Sequence, residues 1–136
     1  MMVLSHVAVG GAVGSVIQNP FLAFFLGIVI HLIMDKVPHF WPKKTENEVY
    51  FKAIDIGLSL LLMLVYWLVG FHSVSFWAGV MGNLSVDLVT VGIKPIKEAR
   101  LGQWQEKRQP HVAKPIYLLT DTCFIIIGLY FLWGLR

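Results

Sequence analysis

The sequence predicts an all-α protein, a single membrane-embedded domain over residues 1–136 with about five membrane helices. The first observation is composition. Hydrophobic residues make up 57% of the chain and charged residues 14%, whereas soluble domains carry about 25% charged residues. The second is that Asp, Glu, Lys and Arg are absent from residues 1–34, 56–86 and 122–135. Because a helix needs about 20 apolar residues to cross the hydrocarbon layer, these stretches favour a polytopic helical bundle.

Polar interruptions divide the apolar stretches into helices. Gln18-Asn19-Pro20 is typical of a turn and splits the first stretch, and Phe71-His72-Ser73 splits the second. The predicted helices comprise residues 2–17, 20–37, 49–70, 74–93 and 115–135. A polar loop over 94–114 is expected to be either an interfacial helix or a solvated linker.

The basic residues predict the orientation of the bundle. Ten of the eleven Lys and Arg residues lie at the end that carries the N-terminus and the loops 38–48 and 94–114, and only Arg136 lies at the other. Cytoplasmic loops are enriched in Lys and Arg, so we expect a cytoplasmic N-terminus. Topology and anionic headgroups explain the net charge of +3, so we expect membrane lipids as partners and no nucleic acid. No basic residue precedes the first apolar segment, so it is interpreted as mature protein and not as a signal peptide.

The histidines and aspartates are the informative polar residues. Eight of these nine residues are expected near the cytoplasmic end of the bundle, and His72 is expected at the opposite end. Ionisable groups within a membrane are costly, so their presence indicates a functional site. The eight residues are His6, His31, Asp35, His39, Asp55, Asp87, His111 and Asp121.

The strongest local pattern is His31-x3-Asp35 followed by Pro38-His39. Residues four apart share a helix face, so one helix offers two ligands to a metal ion. Pro38 is expected to end the helix and let His39 turn back towards the same site. The structural alternative is a hydrogen bond between His31 and Asp35 that closes the helix end.

Two other helices supply the remaining ligands. Small residues in the first helix, including Gly10-x3-Gly14, permit close packing that would bring His6 within reach of His31. The same glycines could instead serve a homo-oligomer. Asp87 lies one turn from Asn83 on the fourth helix, and this polar stripe is expected to face the interior.

Together these residues predict a site for one or more divalent metal ions. The expected metal ligands are His6, His31, Asp35, His39 and Asp87. Imidazole and carboxylate ligands without sulfur suit Zn²⁺ first, with Mn²⁺ or Fe²⁺ as alternatives.

Other polar residues are assigned to catalysis or to structure. Asp55 and His111 are the candidates for the catalytic acid or base. The structural alternatives are an ion pair with Lys52 for Asp55 and an ordinary loop position for His111. Asp121 is a weaker candidate for a metal ligand, and the favoured structural alternative is an ion pair with Lys114. The single Cys123 excludes a disulfide framework and is expected to be buried.

The chain resembles a family of small bacterial and archaeal membrane proteins described as inner-membrane-associated metal-dependent hydrolases, the LexA-regulated type among them. The resemblance is carried by Ser5-His6 on a small-residue helix, by His31-x3-Asp35-x2-Pro38-His39, and by a later aspartate. It implies a multi-helical protein of the prokaryotic inner membrane with histidine and aspartate metal ligands, distantly similar to zinc-dependent phospholipases C.

The family's motif positions fall on four of the expected ligands, His6, His31, Asp35 and His39. Asp87 matches an aspartate that usually follows proline, and in this chain it follows Val86.

Two functions remain open. The first is hydrolysis of a phosphoester, a lipid headgroup or a small phosphorylated solute, at the cytoplasmic membrane face. The second is a non-catalytic metal-binding or structural membrane protein. The shallow polar residues and the lack of an internal repeat disfavour a transporter. The sequence contains no Gly-x-Ser-x-Gly and no Gly-rich phosphate loop, so serine nucleophile chemistry has no support.

Overall fold

A computed structural model of the chain describes residues 2–37, 39–40, 46–90, 111–112 and 118–134. These residues form helices α1 (Val3–Val16), α2 (Pro20–Met34), α3 (Glu46–Val69), α4 (Val74–Thr90) and α5 (Leu118–Gly134), and the two-residue strands β1 (His39–Phe40) and β2 (His111–Val112). The all-α class is confirmed. The helix bounds lie within three residues of the predicted ones. Apart from His111 and Val112, the predicted loop 94–114 lies outside the described residues.

Local chemistry explains where the helices begin and end. Asn19 caps α2, because its side chain accepts a hydrogen bond from the Leu22 amide at 3.1 Å, and Pro20 occupies the first helical turn. Beyond α3, Gly70 adopts a φ of 101°, a conformation that glycine tolerates at helix ends. The Ser73 hydroxyl then accepts from the Phe76 amide at 3.1 Å and caps α4. Both predicted turns therefore contain the residues that stop and start the helices.

The helices alternate in direction. The start of α1 contacts Asp55 near the start of α3 and Asp121 near the start of α5, so these three helices run the same way. His6 lies opposite Asn83, and Gly14 lies opposite Phe76, so α4 runs antiparallel to α1. The starts of α1, α3 and α5 therefore meet the C-terminal ends of α2 and α4. We call this the polar end of the bundle.

Close packing of backbone on backbone holds α1 against α4. A Cβ atom added at Gly10 would lie 2.8 Å from the Gly79 carbonyl oxygen, and one added at Gly14 would overlap Ser75 and Phe76. The predicted close packing of Gly10-x3-Gly14 is confirmed, but its partner is α4 and not α2. The reason is that α4 supplies a matching glycine, Gly79. These glycines are used within the chain, so they do not indicate a homo-oligomer.

The surface of the bundle is the reverse of that of a soluble protein, because it is largely apolar. Large apolar side chains face outwards, with Phe21 76%, Leu68 74% and Tyr130 74% exposed. Inside, an apolar core that includes Val7, Phe76 and Leu132 is accompanied by buried polar and charged side chains. The buried polar set comprises Ser5, His6, His31, Asp35, Asp55, Ser59, Ser75, Asn83 and Asp121. Extensive exposed apolar surface marks contact with a membrane or with another protein.

Among the described residues, one helical segment, Val49–Val69 of α3, is long and apolar enough to cross a membrane. The apolar segments of the other four helices are shorter, 14 to 17 residues by their bounds. The predicted polytopic membrane arrangement therefore stays a prediction.

Cys123 is exposed on α5, so the expectation of a buried thiol is wrong. The buried face of α5 carries Asp121, Gly128 and Leu132, which follow a helical repeat. Cys123 lies two residues after Asp121 and is rotated by about 200° from this face.

Candidate metal centre

Three helices bring four of the predicted ligands together at the polar end. His6 comes from α1, His31 and Asp35 from the end of α2, and Asp87 from α4. The two imidazole rings stack with their centroids 4.2 Å apart. His31 Nε2 lies 3.1 Å from Asp35 Oδ2 and 3.7 Å from Asp87 Oδ1, and His6 Nε2 lies 3.8 Å from Asp35 Oδ1. We call these four residues the metal cluster.

The spacing of the ligand atoms fits a divalent ion. One ligand atom each from His6, His31 and Asp87 lie within 4.8 Å of one another. Two atoms that each lie about 2.1 Å from the same ion are at most about 4.2 Å apart. Small side-chain movements are therefore enough to close these ligands around an ion.

The two ring nitrogens that face the carboxylates make no hydrogen bond within the described part of the chain. His6 Nε2 and His31 Nε2 are buried and make no hydrogen bond there. His31 Nε2 lies 3.1 Å from Asp35 Oδ2, so the predicted i, i+4 contact is present as an ion pair. A buried polar atom left unsatisfied costs about 1–3 kcal/mol. A metal ion would supply His6 Nε2 with a partner and would bind His31 Nε2 beside its carboxylate.

Asn83 supports His6 from the opposite side of the ring. His6 Nδ1 lies 2.7 Å from Asn83 Oδ1, and both side chains are fully buried. The prediction that Asn83 faces the interior is confirmed. Because Nδ1 is engaged by Asn83, Nε2 is the nitrogen that faces the carboxylates.

Asp55 and Asp121 form a separate buried group, which we call the capping pair. Asp55 Oδ2 accepts from the Val3 amide at 2.7 Å, and Oδ1 accepts from the Leu4 amide at 3.1 Å. Asp121 Oδ1 accepts from the Met2 amide at 3.1 Å. Both carboxylates satisfy the first N–H groups of α1, which have no partner inside the helix.

The capping pair has backbone partners that were not predicted from the sequence. Asp55 accepts hydrogen bonds from α1 through both oxygens, which accounts for its burial, and its predicted role as a catalytic acid or base stays a prediction. Asp121 accepts a hydrogen bond from α1, and its expected ion pair with Lys114 lies outside the described residues. The sequence at the start of α1 already indicated that acceptors were needed there. Its N-cap is Met2, which makes no side-chain capping bond, and its first turn has no acidic residue. A buried helix start of this kind must find acceptors elsewhere in the chain.

His39 and His111 are neighbours along the backbone ladder. Strands β1 and β2 pair in parallel, with His39 opposite His111, and β1 also contacts α5. The positions of both side chains lie outside what the structure describes. The roles predicted for His39 as a ligand and His111 as an acid or base stay predictions.

Comparison with known proteins adds nothing to this geometry. No family model, no curated protein and no solved structure matches the chain. The support for the candidate metal centre is therefore the geometry of its own residues.

Proposed function

We propose that the chain is a membrane-embedded, metal-dependent hydrolase whose metal ligands are His6, His31, Asp35 and Asp87. The observation that carries this proposal is the pair of buried Nε2 atoms that face two carboxylates without a hydrogen bond in the described residues. The mixed imidazole and carboxylate ligands favour Zn²⁺, with Mn²⁺ or Fe²⁺ as alternatives. When bound, such an ion supplies Lewis acidity and activates water for attack on a phosphoester.

The chain's own residues supply the setting for that chemistry. His6 and His31 are fully buried on α1 and α2, and Asn83 engages Nδ1 of His6. The Asp87 side chain is 25% exposed, so substrate would approach from the α4 side of the cluster. His111 remains the candidate for the acid or base.

The reversed surface supports a membrane location. The apolar side chains that cover the bundle would contact lipid, and the apolar segment of α3 is long enough to span the hydrocarbon layer. We propose that all five helices lie in the inner membrane with the polar end towards the cytoplasm, the orientation that the distribution of Lys and Arg along the sequence predicts. A site at this depth suits a phosphoester in a lipid headgroup or a small phosphorylated solute.

Metal content is the first test. Elemental mass spectrometry would compare tag-free wild-type protein in detergent with the double variant His31→Ala/Asp35→Ala. His72→Ala is the matched control, because His72 is exposed and belongs to the opposite end. We expect one or more Zn, Mn or Fe ions per chain in the wild type and the control, and loss of the ion in the double variant. Equal trace metal in all three proteins after loading with each ion overturns the proposal.

Hydrolysis is the second test. Metal-loaded protein would be offered phospholipid vesicles in one arm and small soluble phosphoesters in the other, with the double variant as the blank. Turnover in the vesicle arm assigns a lipid headgroup, and turnover in the soluble arm assigns a small solute. Bound metal without turnover in either arm favours the alternative, a non-catalytic metal-binding membrane protein.

A further inference from the structure

We propose that Asn83 is a positioning residue that fixes the tautomer of His6 and so makes Nε2 the metal-binding nitrogen. The inference rests on the proposed metal site. Its starting point is the 2.7 Å contact between Asn83 Oδ1 and His6 Nδ1, in which both side chains are fully buried.

The chemistry of the two groups determines the tautomer. A neutral imidazole carries hydrogen on one ring nitrogen and a lone pair on the other. An amide oxygen only accepts, so its contact with Nδ1 places the hydrogen there and leaves the lone pair on Nε2. This is the nitrogen that lies 3.8 Å from Asp35 Oδ1, on the side of the carboxylates.

The reversed amide would disable the ligand. If the Asn83 NH₂ group faced Nδ1, it would donate to that nitrogen, and Nε2 would carry the hydrogen. A protonated Nε2 has no lone pair for a metal ion. The orientation of one buried amide therefore decides whether His6 can bind metal. Metal-ligating histidines commonly have their second nitrogen fixed by such an acceptor.

Close backbone packing holds the amide in place. A Cβ atom at Gly10 of α1 would lie 3.0 Å from the Asn83 Cβ, and one at Gly27 of α2 would lie 2.8 Å from the Asn83 backbone nitrogen. The two glycines therefore let α1 and α2 close directly onto this residue, so little room is left for its Cβ to move.

The NH₂ group of the Asn83 side chain argues against a purely structural role for this residue. Asn83 Nδ2 is buried without a hydrogen bond to any residue that the structure describes. An unsatisfied group of this kind costs about 1–3 kcal/mol, and an apolar side chain of similar size would avoid the cost. The carbonyl group's action on His6 gives a reason for an amide at this position.

Two substitutions separate the acceptor from the packing. Asn83→Asp offers an oxygen in either orientation, so we expect Zn²⁺ affinity equal to or above that of the wild type. Asn83→Leu keeps the approximate size and removes the acceptor, so we expect Zn²⁺ affinity to fall 10- to 100-fold, about the range for lost supporting groups at metal sites. Ser85→Ala on the same helix is the control, and we expect no change. Competition with a chelator measures each dissociation constant.

Nitrogen NMR of metal-free protein tests the tautomer directly. Tag-free protein with ¹⁵N-labelled histidine would be measured at a pH where imidazole is neutral, and His6→Gln would assign the His6 signals. We expect hydrogen on Nδ1 in the wild type and in Asn83→Asp, and a mixture of tautomers in Asn83→Leu. Hydrogen on Nε2 of wild-type His6 overturns the inference, as does an equal loss of affinity in the Asp and Leu variants.

The two proposals fail in different ways. If the wild type binds no divalent metal but His6 carries hydrogen on Nδ1, the hydrolase proposal fails and Asn83 still fixes the tautomer. If the wild type binds Zn²⁺ with metal-free His6 in the other tautomer, only the role of Asn83 fails. Circular dichroism checks the helicity of each variant. If Asn83→Leu does not fold, the NMR spectra of the wild type and of Asn83→Asp still show which nitrogen of His6 carries the hydrogen.

Discussion

The polar end of the bundle contains two pairs of aspartates that differ in their partners: Asp55 and Asp121 in the capping pair, and Asp35 and Asp87 in the metal cluster. The capping pair, Asp55 and Asp121, accepts hydrogen bonds from backbone amides of α1. The metal cluster places Asp35 and Asp87 against two histidines whose Nε2 atoms make no hydrogen bond in the described residues. A buried carboxylate is therefore not evidence of a site by itself. The distinction lies in whether the chain supplies partners for the polar atoms around it.

Helix electrostatics explains why carboxylates lie at the start of α1. The first amides of a helix lack internal partners and carry partial positive charge. Carboxylate oxygens at that end accept hydrogen bonds from these amides and neutralise their partial positive charge. In the metal cluster the two histidine Nε2 atoms face carboxylates instead of backbone amides, and this difference makes it the better candidate for binding an ion.

The largest expected effect comes from separating the helices that support both groups. Gly79→Val would place side-chain atoms against the Gly10 carbonyl oxygen, and backbone on both sides leaves no room to relax. We expect a loss of about 3 kcal/mol or more in unfolding free energy, together with loss of metal binding. Gly57→Val is the control, because nothing lies within 4 Å of a Cβ atom there, and a change of at most about 0.5 kcal/mol is expected. Denaturant unfolding in detergent measures both. Equal effects at the two positions would show that the α1–α4 contact is not as tight as described.

The next effect concerns the capping pair alone. Asp55→Ala would leave the Val3 and Leu4 amides without acceptors, and at about 1–3 kcal/mol for each group we expect metal-free unfolding free energy to fall by about 2–6 kcal/mol. The Zn²⁺ affinity of the protein that remains folded should be close to that of the wild type. A variant with unchanged stability and lost metal binding would place Asp55 in the metal cluster instead.

Asp35→Ala is the same chemical change in the other group. We expect Zn²⁺ affinity to fall at least about 100-fold, since a ligand is removed, which corresponds to about 2.8 kcal/mol. Metal-free stability should change less than in Asp55→Ala. Thermal unfolding with and without Zn²⁺ reports both quantities, because an ion that binds only the folded state raises the melting temperature. If Asp35→Ala and Asp55→Ala lose stability equally and bind Zn²⁺ equally, the capping pair and the metal cluster do not have different roles.

The smallest effect comes from a hydroxyl at the edge of the capping pair. Ser5 Oγ donates to the Met2 carbonyl at 2.6 Å and lies 3.4 Å from Asp121 Oδ1. We expect Ser5→Ala to cost about 0.5–1.5 kcal/mol, the net contribution of one ordinary hydrogen bond, without affecting Zn²⁺ affinity. Denaturant unfolding and chelator competition would be applied to the same preparation. A tenfold loss of Zn²⁺ affinity in this variant would contradict the separation of the two groups.

The sequence was sufficient for features that depend on short spacing. The helix bounds followed from Pro20, from the polar turns and from the charge-free stretches, and the position of His31 and Asp35 on one face followed from their separation of four residues. The convergence of His6, His31 and Asp87 followed from depth along alternating helices.

Long-range partners could not be derived in this way. Gly10 and Gly14 predict a close neighbour, but which helix provides it depends on Gly79, far away in the chain. Asp55 was assigned to chemistry because its acceptor role becomes evident only when α1 is placed beside it. The burial of Cys123 was also mispredicted, because an apolar helix in a reversed bundle does not reveal which face is inside.

The hydrogen bond from the Met2 amide to Asp121 joins residues 119 positions apart. At roughly 5–20 residues per second, a ribosome needs on the order of 10 s to make the intervening segment. During that interval the first helix exists and one of its acceptors does not. The start of α1 is therefore synthesised long before Asp121, and its Met2 amide has this acceptor only after α5 has been made. The hydrogen bonds at the polar end can therefore all form only after α5 has been synthesised.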